Sequence, residues 1–129
     1  MVITPLYAGF LAIWFVLLSY RVVQRRGHGV SLGDGGDQAL LRRIRGHGNF
    51  AEYVPIILLM IAFLELNQLH PLVLHGLGLS LLVARLLHGI ALSFTESWTF
   101  GRFYGTLITF LLLPICGGLC VWMSLSALL

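Results

Sequence analysis

The sequence has 129 residues, 58% of them hydrophobic and only 10% charged, and its mean hydropathy is +0.93. A water-soluble domain carries about 25% charged residues, so this composition excludes a small globular core in water and requires lipid as the solvent. The formal charge of +3 rests on eight arginines with no lysine. No basic run interleaves with aromatics, which argues against a nucleic-acid groove.

In chain order, the first apolar span is expected over about 5–26. It lacks a positive n-region and an A-x-A-like site, so it reads as a retained span rather than a cleaved signal peptide. The stretch "RRGHGVSLGDGGDQ" is rich in glycine and reads as the one long loop, with Asp37 placed to cap the second helix. The second apolar run, Tyr53 to Leu66, is too short to cross a bilayer, which takes about 20 residues. It reaches that length only if its helix starts near residue 38 and carries "RIRGHGNFAE" on its first turns. The second span is therefore expected over 38–66.

"NQLHP" is a tight turn, with Pro71 at the start of a third span over 71–93 and His70 a turn residue. "SFTESWTFG" separates that span from a fourth, over about 102–127. The implied fold is all-α and integral to the membrane: one domain, residues 1–129, folded as an antiparallel four-helix transmembrane bundle. Six of the eight arginines lie between Arg21 and Arg45. The positive-inside rule then puts the first and third connections in the cytoplasm and both termini on the periplasmic side. Tyr7, Trp98, Tyr104 and Trp122 fall near span ends and read as interfacial aromatics.

On a helix, positions 45, 49 and 52 advance by four and three, so Arg45, Asn49 and Glu52 share a face from which His47 points away. Arg85 and His88 share a face of the third span, and Arg102 stands at the start of the fourth. Ionisable groups at membrane depth face a bundle interior or a wet cavity. Arginines suit carboxylates, a glutamate suits an ammonium, and an asparagine suits a peptide group. The set matches a small zwitterionic peptide. It equally matches internal pairing of Glu52 with Arg45 or Arg85.

The stretch "RIRGHGNFAEYVP" resembles the second-helix signature of the MAPEG family, membrane-associated proteins of eicosanoid and glutathione metabolism. "VARLLHG" is similar to that family's third-helix motif, and "RRGHGVS", chain length and span count fit as well. The resemblance implies a homotrimer that binds glutathione in clefts between subunits, and an enzyme that attacks a lipophilic electrophile with the glutathione thiolate. By matching position, Arg45, Asn49, Glu52 and Tyr53 would hold the peptide with His47 near it. Arg25 would reach a glutathione carboxylate from the adjacent subunit. Arg85 and His88 would complete the lining, and Arg102 would stabilise the thiolate. A neighbouring cation lowers a thiol pKa from about 8.5, raising the thiolate fraction at neutral pH.

The chain departs from the family's pattern at Leu92, where a second Tyr is usual, and at Gly48, where some enzymes have arginine. The alternative reading is therefore a non-catalytic trimeric membrane protein whose site binds a lipid or a partner. A third reading, a small transporter, would need an acid in the first span, which has none. Glu65 reads instead as interfacial and solvated. His28, His47, His70, His75 and His88 lack metal-ligand spacing, so no metal is expected. Cys116 and Cys120, like the "GLGLSLLVA" stretch, read as small packing residues rather than a disulfide.

Overall fold

The computed structural model describes residues 1–27 and 29–129; His28 lies outside the described residues. Four helices come one after another: α1 (Ile3–Arg26), α2 (Gln38–Leu66), α3 (Pro71–Ser93) and α4 (Thr99–Leu128). Each is long and apolar enough to cross a membrane. The expectation of four long apolar spans holds. α1 starts two residues earlier than expected and α4 three; neither is preceded by an N-cap side chain that would mark its start in the sequence.

α2 does begin at residue 38, and the reason is local. Asp37 Oδ1 accepts from the backbone N–H of Ala39 at 2.9 Å and of Leu40 at 3.3 Å. Its other oxygen takes the Arg25 Nε at 2.6 Å, tying the end of α1 to the start of α2. That hydrogen bond to Arg25 holds the Asp37 carboxyl below the usual carboxylate range. Gly35 and Gly36 just before it adopt positive φ of 58° and 80°, a conformation open to glycine at little cost. At the far end of α2 the chain turns through Gln68 and restarts at Pro71, with His70 as the cap of α3.

The core is set by spacing. Tyr7, Leu11, Trp14 and Leu18 are buried on α1, and Phe50, Val54, Ile57, Ile61 and Leu64 on α2. On α4 the buried set is Gly101, Gly105, Thr109, Leu112 and Cys116. These steps of three and four keep one stripe of each helix against its neighbours along its whole length. The remaining faces expose Phe10, Ile13, Phe103, Phe110 and Trp122, as lipid contact requires.

Small residues set how close the helices come. A Cβ on Gly78 would lie 2.3 Å from the Tyr7 ring, and one on Gly89 2.8 Å from Trp14. At Gly105 it would lie 2.7 Å from both the Ala84 carbonyl oxygen and the His88 Cβ. The glycine in "GLGL" that packs is thus Gly78. In "CGGLC" Cys116 is buried and Cys120 packs partly buried against the core, with Sγ 3.6 Å from the Met60 carbonyl oxygen, while Gly118 faces open space.

Two expectations are corrected here. Tyr7 is buried between α1 and α3, with its hydroxyl 3.0 Å from His75 Nδ1, rather than exposed on the outside of the bundle. Its ring fills the notch that Gly78 leaves. Glu65 is not a free solvated acid. Its carboxylate accepts from the backbone N–H of Val2, Ile3 and Thr4 at 2.5, 2.8 and 2.7 Å, capping the otherwise uncapped N-terminus of α1.

Candidate functional site

The helix ends that meet near the α3–α4 connection form a polar cleft. Leu41, Arg42, Arg45 and Asn49 come from the first turns of α2, His88 and Leu92 from α3, and Arg102 and Thr106 from α4. The cleft measures about 350 Å³. α2 can supply this wall because its capped start extends it well beyond the apolar run. A 29-residue helix is about 43 Å long, against a hydrocarbon thickness of about 30 Å.

Behind the cleft lies Arg85, whose side chain is only 1% exposed. Its Nη1 donates to Asn49 Oδ1 at 2.7 Å and its Nη2 to the Gly105 carbonyl at 3.3 Å, while its Nε has no partner among the described residues. The approach of α4 at Gly105 is what brings that carbonyl within reach. Among the described residues Arg85 makes no ion pair; the pairs formed are Arg25–Asp37 and Arg45–Glu52. A guanidinium held dry without a carboxylate is an unbalanced positive charge. Arg42, Arg45 and Arg102 line the same cleft.

Of the two internal pairings the sequence allows for Glu52, the one with Arg45 forms, at 3.8 Å, between two exposed side chains. The one with Arg85 does not, because Asn49 stands in that place. An exposed pair of this length contributes little to stability, and its groups stay open to other partners.

The structure thus gathers Arg45, Asn49, His88 and Arg102 around one cleft, with Arg85 behind Asn49 and Glu52 beside Arg45. Tyr53 sits on the same side one turn further along α2, its ring 5.5 Å from that of Phe110. His47 is elsewhere. It stacks on Phe15 at 4.6 Å between α1 and α2, with Nε2 3.1 Å from Ser19 Oγ, so within one chain it does not approach the cleft. Its periodicity points it there. Arg25 lines a separate pocket with Arg21, Gln24 and Arg43.

Three lining residues escaped the sequence reading. Arg42 lies three before Arg45 and Thr106 four after Arg102, which are helical spacings that a search outward from the chosen residues would have met. Arg42 also bonds the carbonyls of Thr95 and Glu96, holding the α3–α4 connection against α2. Leu41 carries no polar signal at all.

A second recess adjoins the first. Thr99, Arg102, Phe103, Thr106, Leu107 and Phe110 line an apolar groove of about 510 Å³ along α4. Arg102 and Thr106 belong to both recesses. A polar compartment and an apolar one therefore meet at a single guanidinium, itself free of any ion pair among the described residues.

The sequence is 38% identical over 87 residues to the inner membrane protein YecN of Escherichia coli strain K12, covering 67% of this chain and 66% of that one. The same figures hold for the inner membrane protein YecN of Escherichia coli O6:H1 strain CFT073. The match therefore spans just under two thirds of the length of these relatives. No solved structure matches. The MAPEG family matches residues 4–122, nearly the whole sequence, and the chain belongs to that family.

Proposed function

We propose that the protein is a glutathione-dependent transferase or peroxidase of the inner membrane, working on lipophilic electrophiles. The observation that carries this reading is the shared edge of the two recesses. A water-soluble thiol peptide suits the cleft with its excess of arginines, and a lipid-soluble electrophile suits the groove on α4. Arg102 stands where sulfur and electrophile would meet.

In this reading Arg45, Asn49 and Glu52 hold the peptide's charged and amide groups. Arg85, fixed through Asn49, adds positive potential from behind, and Tyr53 and His88 shape the walls. The Arg102 guanidinium stabilises the thiolate, since it stays charged while partly desolvated. The thiolate sulfur then forms a bond to an electrophilic carbon as the carbon–leaving-group or epoxide C–O bond breaks. With a hydroperoxide, two thiols supply the electrons that give disulfide, alcohol and water. The reading includes alternating helix directions, termini on the periplasmic side and a homotrimer. In that trimer, Arg25 and His47 can reach the ligand only from a neighbouring subunit.

A second reading, binding without turnover, draws on Leu92, an apolar side chain in the wall of the cleft. Calorimetry and turnover on the purified protein separate the two. Glutathione binding that weakens about tenfold or more in Arg45→Ala supports a peptide cleft, as loss of a charge-assisted contact would. Turnover of a nitroaryl halide or a lipid hydroperoxide that falls by about 10²–10³ in Arg102→Ala, with binding retained, supports the chemistry. A wild-type protein that binds no glutathione refutes the proposal. One that binds it without turnover leaves the second reading.

A further inference from the structure

Sulfur collects where α2 packs on the second half of α4, well away from the cleft. Cys116, Cys120 and Met123 advance by four and three, so they share one face of α4. That face packs inward: Cys116 is fully buried, and Cys120 and Met123 lie partly buried against the core. Met60 meets it from α2. A Cβ added at Gly117 would lie 3.8 Å from Met60 Sδ, which places the thioether over the turn that joins the two cysteines. Cys120 Sγ donates to the Met60 carbonyl at 3.6 Å, and neither cysteine is in a disulfide. The cluster stands about 21 Å from Arg102 along α4 and shares no residue with the cleft or the apolar groove.

The spacing separates two uses of a thiol pair. Cβ atoms four residues apart on a helix are about 5–6 Å from each other, and a disulfide needs about 3.5–4.5 Å. An ion that bonds sulfur at about 2.3 Å on either side fills the wider gap. The donor set then selects the ion. Among the described residues no group of three or more His, Cys, Asp or Glu gathers, as the usual ligands of zinc would. Thiolate together with thioether suits Cu(I). Charge points the same way. The cluster lies in an apolar span, where an uncompensated charge is costly. One Cu(I) that replaces one thiol proton leaves the site neutral, and the proton passes to water.

We propose that Cys116, Cys120 and Met60 form a binding site for one Cu(I) ion, with Met123 as a further thioether on the same face of α4. The bound ion ties α2 to α4. The histidines, whose spacing gives no metal site, take no part.

The test is anaerobic titration of the purified full chain, in a maltoside detergent and without glutathione, against Cu(I) held by bicinchoninate. The expected result is one Cu(I) per chain taken from the chelator, with a shell of sulfur alone in X-ray absorption. Cys120→Ser should weaken binding by about 100-fold or more, beyond the roughly 10–100-fold that loss of an outer partner costs. Met60→Leu conserves side-chain volume, so it keeps the test decisive where a cysteine variant does not fold, and it should weaken binding about tenfold. Unchanged affinity in the folded variants, nitrogen or oxygen in the shell, or no copper withdrawn from the chelator overturns the inference. Displacement of Cu(I) by equimolar Zn(II) also overturns it, since the site would then not be selective for a soft ion. Arg45→Ala, at the cleft, should leave copper binding unchanged; a loss there would move the ion to the cleft and overturn the assignment.

Discussion

Replacing Gly105 by alanine places a methyl group where α3 and α4 touch. The added Cβ would lie 2.7 Å from the Ala84 carbonyl oxygen, 2.7 Å from His88 Cβ and 2.8 Å from the His88 nitrogen. Ordinary contact begins near 3.4 Å, so the two helices must part by about 0.7 Å, and backbone atoms cannot swing aside as a side-chain tip can. Overpacking of this kind costs about 1–3 kcal/mol. The shift also stretches the 3.3 Å bond from Arg85 to the Gly105 carbonyl, removing a charge-assisted contact of about 1–2 kcal/mol. The expected loss is roughly 2–5 kcal/mol, measured by denaturant titration in detergent with circular dichroism as the readout. Arg102 lies one turn before Gly105, so the affinity of the cleft for its ligand should fall along with stability. Gly118→Ala is the control, because its Cβ meets nothing and alanine favours helix. A Gly105→Ala protein within about 0.5 kcal/mol of wild type would refute the close approach of α3 and α4.

The same contacts lead to three further outcomes. Because Asp37 titrates lower in the folded chain than when unfolded, its contribution is complete above its unfolded pKa of about 4 and is lost as pH falls through its folded value. The thermal midpoint should therefore drop below about pH 4, whereas Asp37→Asn should start lower at neutral pH and change less on acidification. Asn49→Ala strips Arg85 of its only side-chain partner among the described residues and should destabilise by about 2–4 kcal/mol. Arg85→Met, which removes the charge itself, should be closer to neutral in the same titration while weakening anion binding; the reverse order would contradict a buried unbalanced guanidinium. Glu65→Ala leaves three N–H groups at the start of α1 without their acceptor and should cost about 1–2 kcal/mol, with faster hydrogen exchange confined to residues 2–4. Uniformly faster exchange along α1 would show instead that the carboxylate supports the whole helix.

Relations along one helix are legible in the sequence, and relations between helices are not. Steps of four and three put Arg45, Asn49 and Glu52 on one face and His47 off it, and the structure agrees. The start of α2 can be read from Asp37 and from the length a span needs. The Asn49–Arg85 bond depends instead on how α2 and α3 register against each other, which turns on the notches at Gly78, Gly89 and Gly105. Glu65 misleads for the same reason: an acid near a span end looks solvated until the start of another helix is brought to it. Tyr7 misleads because an aromatic near a terminus has the composition of an interfacial residue whether or not a glycine opposite leaves room for its ring. The family resemblance supplies the expected ligand, which neither spacing nor packing names.

The common border of cleft and groove has a practical consequence. An amphiphile with an anionic head and an apolar tail is expected to span the pair of recesses as one piece, because arginines line one and Phe103 and Phe110 line the other. Fatty acids, bile-salt detergents and alkyl sulfates belong to that class, and alkyl maltosides do not. The detergent that extracts this protein is thus a chemical variable in every assay on it. An anionic detergent is expected to compete for these two recesses well before it behaves as a denaturant.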